Sequence, residues 1–163
     1  MIKKHKTALI LSTICSLLPI VIGLILCFTK KYRKHGILML LSLAVGYLLG
    51  EGIFKDLFAR SRPVDALGLQ LLIEHPSGYS FPSGHSCSSF AAAMSLCFAN
   101  RKWTPYAFTM ASLVAFSRLY HGVHYLTDIL AGAALGMLVA WLVHRYLAAF
   151  VEKLLAKSRK STR

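Results

Sequence analysis

Three short segments hold most of the chemistry this chain can offer. KDLFARSRP supplies Lys55 and Arg62, PSGH supplies Ser83, Gly84 and His85, and SRLYHGVHYLTD supplies Arg118, His124 and Asp128. Two imidazoles, a carboxylate and three cations are what phosphoryl transfer calls for. Lys55, Arg62 and Arg118 would cage phosphate oxygens, the arginines through planar donor forks. Ser83 and Gly84 stand at a predicted helix N-terminus, where free backbone N–H groups and the helix dipole favour an anion. His124 and Asp128 are four apart at another predicted helix start and so share a face. A carboxylate on one ring nitrogen sets the tautomer and leaves the other nitrogen as a nucleophile. His85, from a separate segment, would protonate the leaving oxygen. Lys55 and Arg62 are seven apart and project from one face if their helix continues that far.

Each segment taken alone also has a structural reading. Pro-Ser-Gly-His is a serviceable helix N-cap. Lys55 can pair with Glu51 one turn earlier, and Arg62 and Arg118 can snorkel to a membrane interface. A His–Asp pair at a spacing of four is often structural. What tips the balance is that three separate segments deliver these groups to one predicted membrane face, where ionisable side chains are costly and usually functional. His121 is a weaker candidate nucleophile, because the residue four positions on is Tyr125. His75 and Glu74 read as solvated loop residues. His5, His35 and His144 lie near helix ends and need no special role. Gly132 and Gly136 form a GxxxG stripe that predicts close helix packing. Neither HExxH nor a cluster with metal-ligand spacing occurs, so no metal and no cofactor is expected.

The elements that must position these groups are helices in a membrane. Hydrophobic residues make up 56% of the 163, and mean hydropathy is +0.57. Long apolar stretches alternate with short basic clusters, and about 20 apolar residues cross a bilayer as a helix. The expected fold is an all-α polytopic membrane bundle of about five spans: 7–29, 36–58, 83–99, 104–119 and 125–150. Residues 1–163 form a single membrane-embedded domain with its motif core at 55–128. The first segment is too long for a signal-peptide h-region and is expected to remain as an anchor. Cys15, Cys27, Cys87 and Cys97 all fall in apolar segments without CxxC spacing and read as packing residues.

The net charge of +13 does not indicate nucleic acid, since no aromatic-basic module accompanies it. Lys and Arg sit between the spans and in the tail KLLAKSRKSTR, the pattern of the positive-inside bias and of attraction to anionic headgroups. Twelve of them fall on the face that carries 30–34, 101–102 and the C-terminal group. Seven fall on the other face: Lys3, Lys4, Lys6, Lys55, Arg60, Arg62 and Arg118. The first face is therefore expected to be cytoplasmic, and the candidate site to lie on the extracellular or periplasmic side of the cell membrane.

Together the three segments resemble the signature of the type-2 phosphatidic acid phosphatase superfamily: K-x6-R-P, then P-S-G-H, then S-R-x5-H-x3-D. All three match without a substitution and in order. The resemblance implies a metal-independent lipid phosphatase. His124 would be the nucleophile that forms a phosphohistidine, with Asp128 orienting it and His85 as general acid. Lys55, Arg62, Ser83, Gly84 and Arg118 would bind the substrate phosphate. The implied substrate is a lipid phosphate or diphosphate. Undecaprenyl diphosphate is the first choice, and phosphatidate or phosphatidylglycerol phosphate the alternative. A non-enzymatic lipid-binding or transport protein on the same fold is more remote, because the motif set is intact. Vanadium haloperoxidases share the anion site but are typically soluble. Membrane members commonly have six spans, so one helix of the usual N-terminal set is expected to be missing here.

Overall fold

The computed structural model describes Ile14, residues 17–68 and residues 77–161. Among these residues every regular element is a helix. The apolar segment Leu17–Phe28 forms α1. α2 (Arg33–Leu49) runs into a π-helical turn, Gly50–Phe54, and then into a short α3 (Lys55–Phe58). α4 spans Pro63–Leu67, α5 Gly84–Ala99, α6 Thr104–Tyr120 and α7 Leu126–Ser161. Two runs are long and apolar enough to cross a bilayer, Arg33–Leu67 and Leu126–Ser158. α5 and α6 have 16 and 17 residues.

One expectation fails at the end of α3. Lys55 and Arg62 do not share a helical face, because the chain leaves the helix between them. Ala59 adopts the left-handed conformation (φ 42°, ψ 37°), and Arg62 is extended ahead of Pro63, which opens α4 from its first position.

α5 lies at the centre of the bundle, and its buried face is built from small residues: Ser86, Cys87, Ser89, Ala91, Ala92, Ala93 and Ser95. α7 answers with the GxxxG stripe. A Cβ at Gly132 would run into the Ser83 carbonyl, and one at Gly136 into the Cys87 carbonyl. The glycines thus let the two backbones touch, the packing mode that small residues permit where lipid offers no hydrophobic drive between helices. Gly36 does the same for α1 on α2, since a Cβ there would meet the backbone at Gly23, Leu26 and Cys27. Leu38 on α2 packs with Val139, Val143 and Val151 of α7, and Met39 packs with Leu26 and Ala92.

Outward faces are apolar instead of charged. Leu48, Leu113, Phe116, Leu130 and Phe150 are between 57% and 63% exposed. An apolar exterior over a core of small and polar residues suits lipid as the solvent.

Candidate active site

The site gathers where the N-terminus of α5, the start of α7 and the turn after α3 meet. Ser83 caps α5 from an extended backbone, its hydroxyl accepting from the Ser86 N–H at 3.4 Å and the Ser86 hydroxyl at 3.2 Å. Its own N–H donates to the Asp128 carbonyl in the first turn of α7 at 3.0 Å. The helix carrying His85 and the helix carrying Asp128 are therefore tied backbone to backbone.

His124 lies in the turn before α7 and is 5% exposed. Its Nδ1 is 2.8 Å from the Ser80 carbonyl oxygen and 3.7 Å from Oδ2 of Asp128. A carbonyl can only accept, so Nδ1 carries the proton, and the lone pair of the neutral ring is on Nε2. Burial pushes the imidazole below its ordinary value of 6.5. The Arg62 charge lowers it further, while the nearby Asp128 carboxylate and the Ser80 carbonyl work in the opposite direction.

Asp128 is fully buried and its carboxylate is saturated. Oδ2 accepts from the Ser80 hydroxyl at 2.5 Å and from the Tyr125 N–H at 2.9 Å, and Oδ1 accepts from Arg60 Nη1 at 2.6 Å. Arg60 also bonds the Thr127 hydroxyl at 2.6 Å, and its guanidinium lies 3.9 Å from the centre of the Tyr125 ring. The Ser80 N–H donates to the Arg60 carbonyl at 2.8 Å, which closes a triangle of Arg60, Ser80 and Asp128. The direct imidazole–carboxylate bond expected from the His-x3-Asp spacing is thus replaced by contact through Ser80. The reason is that His124 sits outside the helix that begins at Leu126.

Arg62 is 4% exposed and commits three of its five N–H donors to carbonyls: Nε to Gly78, Nη1 to Val123 and Nη2 to Ser77, at 3.0 to 3.1 Å. It pins the segment before α5 to the turn before α7. Arg118, also 4% exposed, places Nε 3.2 Å from the Ser117 hydroxyl. Lys55 Nζ is 2.7 Å from Oε2 of Glu51, so the pair open to it on sequence grounds is formed. His121 Nδ1 is engaged by the Ser117 carbonyl at 2.5 Å.

A cavity of about 650 Å³ collects Glu51, Lys55, Gly84, His85, Ser88 and His124 with Leu17, Ile20, Leu40, Leu43 and Tyr47 of α1 and α2. Lys55, Gly84, His85 and His124 thus come together in one space, polar on the side of α5 and apolar on the side of α1 and α2. Arg62, Ser83, Arg118 and Asp128 do not line it. Among the described residues no group of three or more His, Cys, Asp or Glu is placed to hold a metal. His75 and Glu74, and the N-terminal Lys3, Lys4 and Lys6, lie outside the described residues.

Three participants were not singled out from the sequence. Ser80 works through a carbonyl that every residue has, and Arg60 sits two positions from the motif arginine. Glu51 was read only as a partner for Lys55.

The PAP2 superfamily model matches residues 35–152, which contain every charged and polar residue named in this site. The chain is 36% identical over 124 residues to an undecaprenyl-diphosphatase of Sulfolobus acidocaldarius, covering 75% of this chain and 59% of that protein. It is 33% identical over 129 residues to a lipid A 4'-phosphatase of Porphyromonas gingivalis, covering 72% and 55%. The chain therefore spans less than two thirds of the length of these relatives. Among solved structures, a transmembrane PAP2-type phosphatidylglycerolphosphate phosphatase from Bacillus subtilis superposes with a TM-score of 0.67 at 33% identity, covering 91% of this chain and 77% of that one. Helices, motif order and relatives agree: the chain belongs to the PAP2 superfamily.

Proposed function

We propose that this chain is a membrane phosphatase that hydrolyses a lipid phosphate or diphosphate through a phosphohistidine, with undecaprenyl diphosphate as first-choice substrate. The observation that carries the reading is the shared cavity. One space is lined both by the proposed nucleophile and acid and by an apolar wall from α1 and α2, which suits a phosphate head on a hydrocarbon tail.

In this mechanism Nε2 of His124 attacks phosphorus in line with the leaving oxygen. The P–N bond forms as the P–O bond breaks, and His85 gives its proton to the departing lipid alcohol or phosphate. Water then attacks the phosphohistidine, His85 takes its proton, and inorganic phosphate leaves. Asp128 supports the charge that His124 gains, acting through Ser80. Lys55, Gly84 and the α5 N-terminus would face the phosphoryl oxygens, with Ser83, Arg62 and Arg118 supporting them. Fixed positive groups of this kind supply most of the catalysis in phosphoryl transfer.

The charge count of twelve against seven supports an extracellular or periplasmic site, with α1, the run from α2 through α3, α5, α6 and α7 as five spans. A cysteine placed in 64–80 that labels only from the cytoplasm would overturn that orientation. The activity is tested by phosphate release in detergent from undecaprenyl diphosphate, undecaprenyl phosphate, phosphatidate and phosphatidylglycerol phosphate, with and without chelator. The wild type is expected to turn over undecaprenyl diphosphate fastest and to ignore the chelator. A His124→Ala protein that keeps the wild-type rate would sink the mechanism.

A further inference from the structure

The Glu51 carboxylate stands in the place the proposed mechanism assigns to phosphate. Its Oε2 is 2.7 Å from Lys55 Nζ. Its Oε1 fills the space that a side chain at position 84 would take, and a Cβ on Gly84 would collide with it. Gly84 is the first residue of α5, so the carboxylate rests at the positive end of that helix. Glu51 also lines the cavity with His85 and His124. A lysine, a helix N-terminus and a glycine that admits close approach are what a phosphoryl group would need, and here one carboxylate is bonded to the lysine and lies against the glycine that opens the helix.

The backbone that carries Glu51 is not ordinary helix. The Lys55 N–H reaches back to the Gly50 carbonyl, the five-residue step of a π turn. Such turns inserted in α-helices recur at functional sites. Gly50 and Gly52 flank Glu51, and a Cβ at Gly52 would meet nothing within 4 Å. The carboxylate is held by Lys55, one turn on, on a segment whose two flanking glycines allow more backbone freedom than other residues would. Its side chain is 31% exposed.

Resting on the phosphatase reading above, we propose that Glu51 is a tethered anion that occupies the phosphate cradle between turnovers and is displaced by the phosphoryl group of the substrate. Two anions cannot share Lys55 and the α5 N-terminus at contact distance without strong repulsion. Binding of phosphate then requires the carboxylate to leave, and its return helps expel the inorganic phosphate product. The apparent affinity for any phosphate ligand is lowered by the fraction of molecules in which Glu51 holds the cradle.

The test uses the full chain in detergent with inorganic phosphate and orthovanadate as competitive probes. Glu51→Gln removes the charge with little change of shape, and Glu51→Ala removes the group if the amide still binds Lys55. Both are expected to lower the inhibition constants for phosphate and vanadate by about fivefold or more and to lower KM by a similar factor. Glu51→Asp, which keeps the charge, is expected to fall between them and the wild type. A purely structural role for Glu51 would lower kcat and leave phosphate affinity unchanged or weaker. Unchanged or raised inhibition constants in both neutral variants would overturn the proposal. If the wild type releases no phosphate from any lipid substrate, the phosphatase reading fails. If the wild type is active and the constants do not fall, only the role of Glu51 fails.

Discussion

Nδ1 of His124 donates to the backbone carbonyl of Ser80, and the Ser80 hydroxyl donates to Asp128. One residue thus stands between the imidazole and the carboxylate, and its two polar groups do different work. The carbonyl sets the ring tautomer, and the hydroxyl anchors the carboxylate.

Ser80→Ala should separate those two tasks, because alanine keeps the carbonyl and loses the hydroxyl. Losing a hydrogen bond to a charged acceptor costs about 1.5–3 kcal/mol, so kcat should fall roughly tenfold to a hundredfold in all, about 1.4 kcal/mol being one factor of ten. Asp128→Ala should cost more, because it also leaves Arg60 and the Tyr125 N–H without their acceptor. The double variant should be less impaired than the product of the single effects, since both changes cut one network. A strictly multiplicative kcat would show that Ser80 and Asp128 act independently.

The protonation of His124 gives a second prediction. A nucleophilic imidazole must be neutral, and burial holds this one below the ordinary 6.5. As pH falls through 6.5 the ring should therefore stay neutral, gaining its proton only in more acidic solution. Asp128→Asn removes groups that raise the value and should move the titration lower still. Isotope-labelled histidine followed by NMR, with His124→Gln for assignment, reads this directly and avoids the ionisation of the substrate. A midpoint above 6.5 would mean that the carboxylate outweighs burial.

The α5–α7 contact makes a third prediction. Gly136→Ala drives a Cβ into the Cys87 carbonyl, and overpacking of this kind typically costs about 1–3 kcal/mol. Gly52→Ala, with open space around it, should be neutral or stabilising, because alanine is favoured over glycine within a helix. Thermal unfolding in detergent compares the two, and equal Tm values would remove the close contact as the reason for the glycine.

Much of the arrangement can be read from the residues. Apolar runs bounded by basic clusters become α1, α2, α5, α6 and α7, and the Gly132–Gly136 spacing marks the helix face that meets α5. The features that escape the pattern do so for physical reasons. Ala59 adopts a left-handed backbone with no glycine to announce it, so the break between Lys55 and Arg62 was not visible. Ser80 contributes a main-chain oxygen. The π turn at Gly50–Phe54 differs from α-helix by one step of hydrogen bonding, too small a change for side-chain periodicity to register. His35 and His144, far apart in sequence, have ring centroids 5.8 Å apart, with Phe98 stacked on His144 at 4.6 Å. Pairings of that kind depend on how helices dock, which no local window contains.

The backbone bond from Ser83 to Asp128, reinforced by Gly132 and Gly136 beneath it, has a consequence for how such a protein can change. A slide of α7 along α5 by one residue would be about 1.5 Å, enough to misplace groups that under the proposed mechanism must meet at phosphorus. The contact works as a datum from which the chemical half is measured. α1 and α2 contribute the apolar wall and none of that datum. Under the proposed function, side chains of that wall can be recut for a tail of another length or shape while the α5–α7 contact keeps its dimensions.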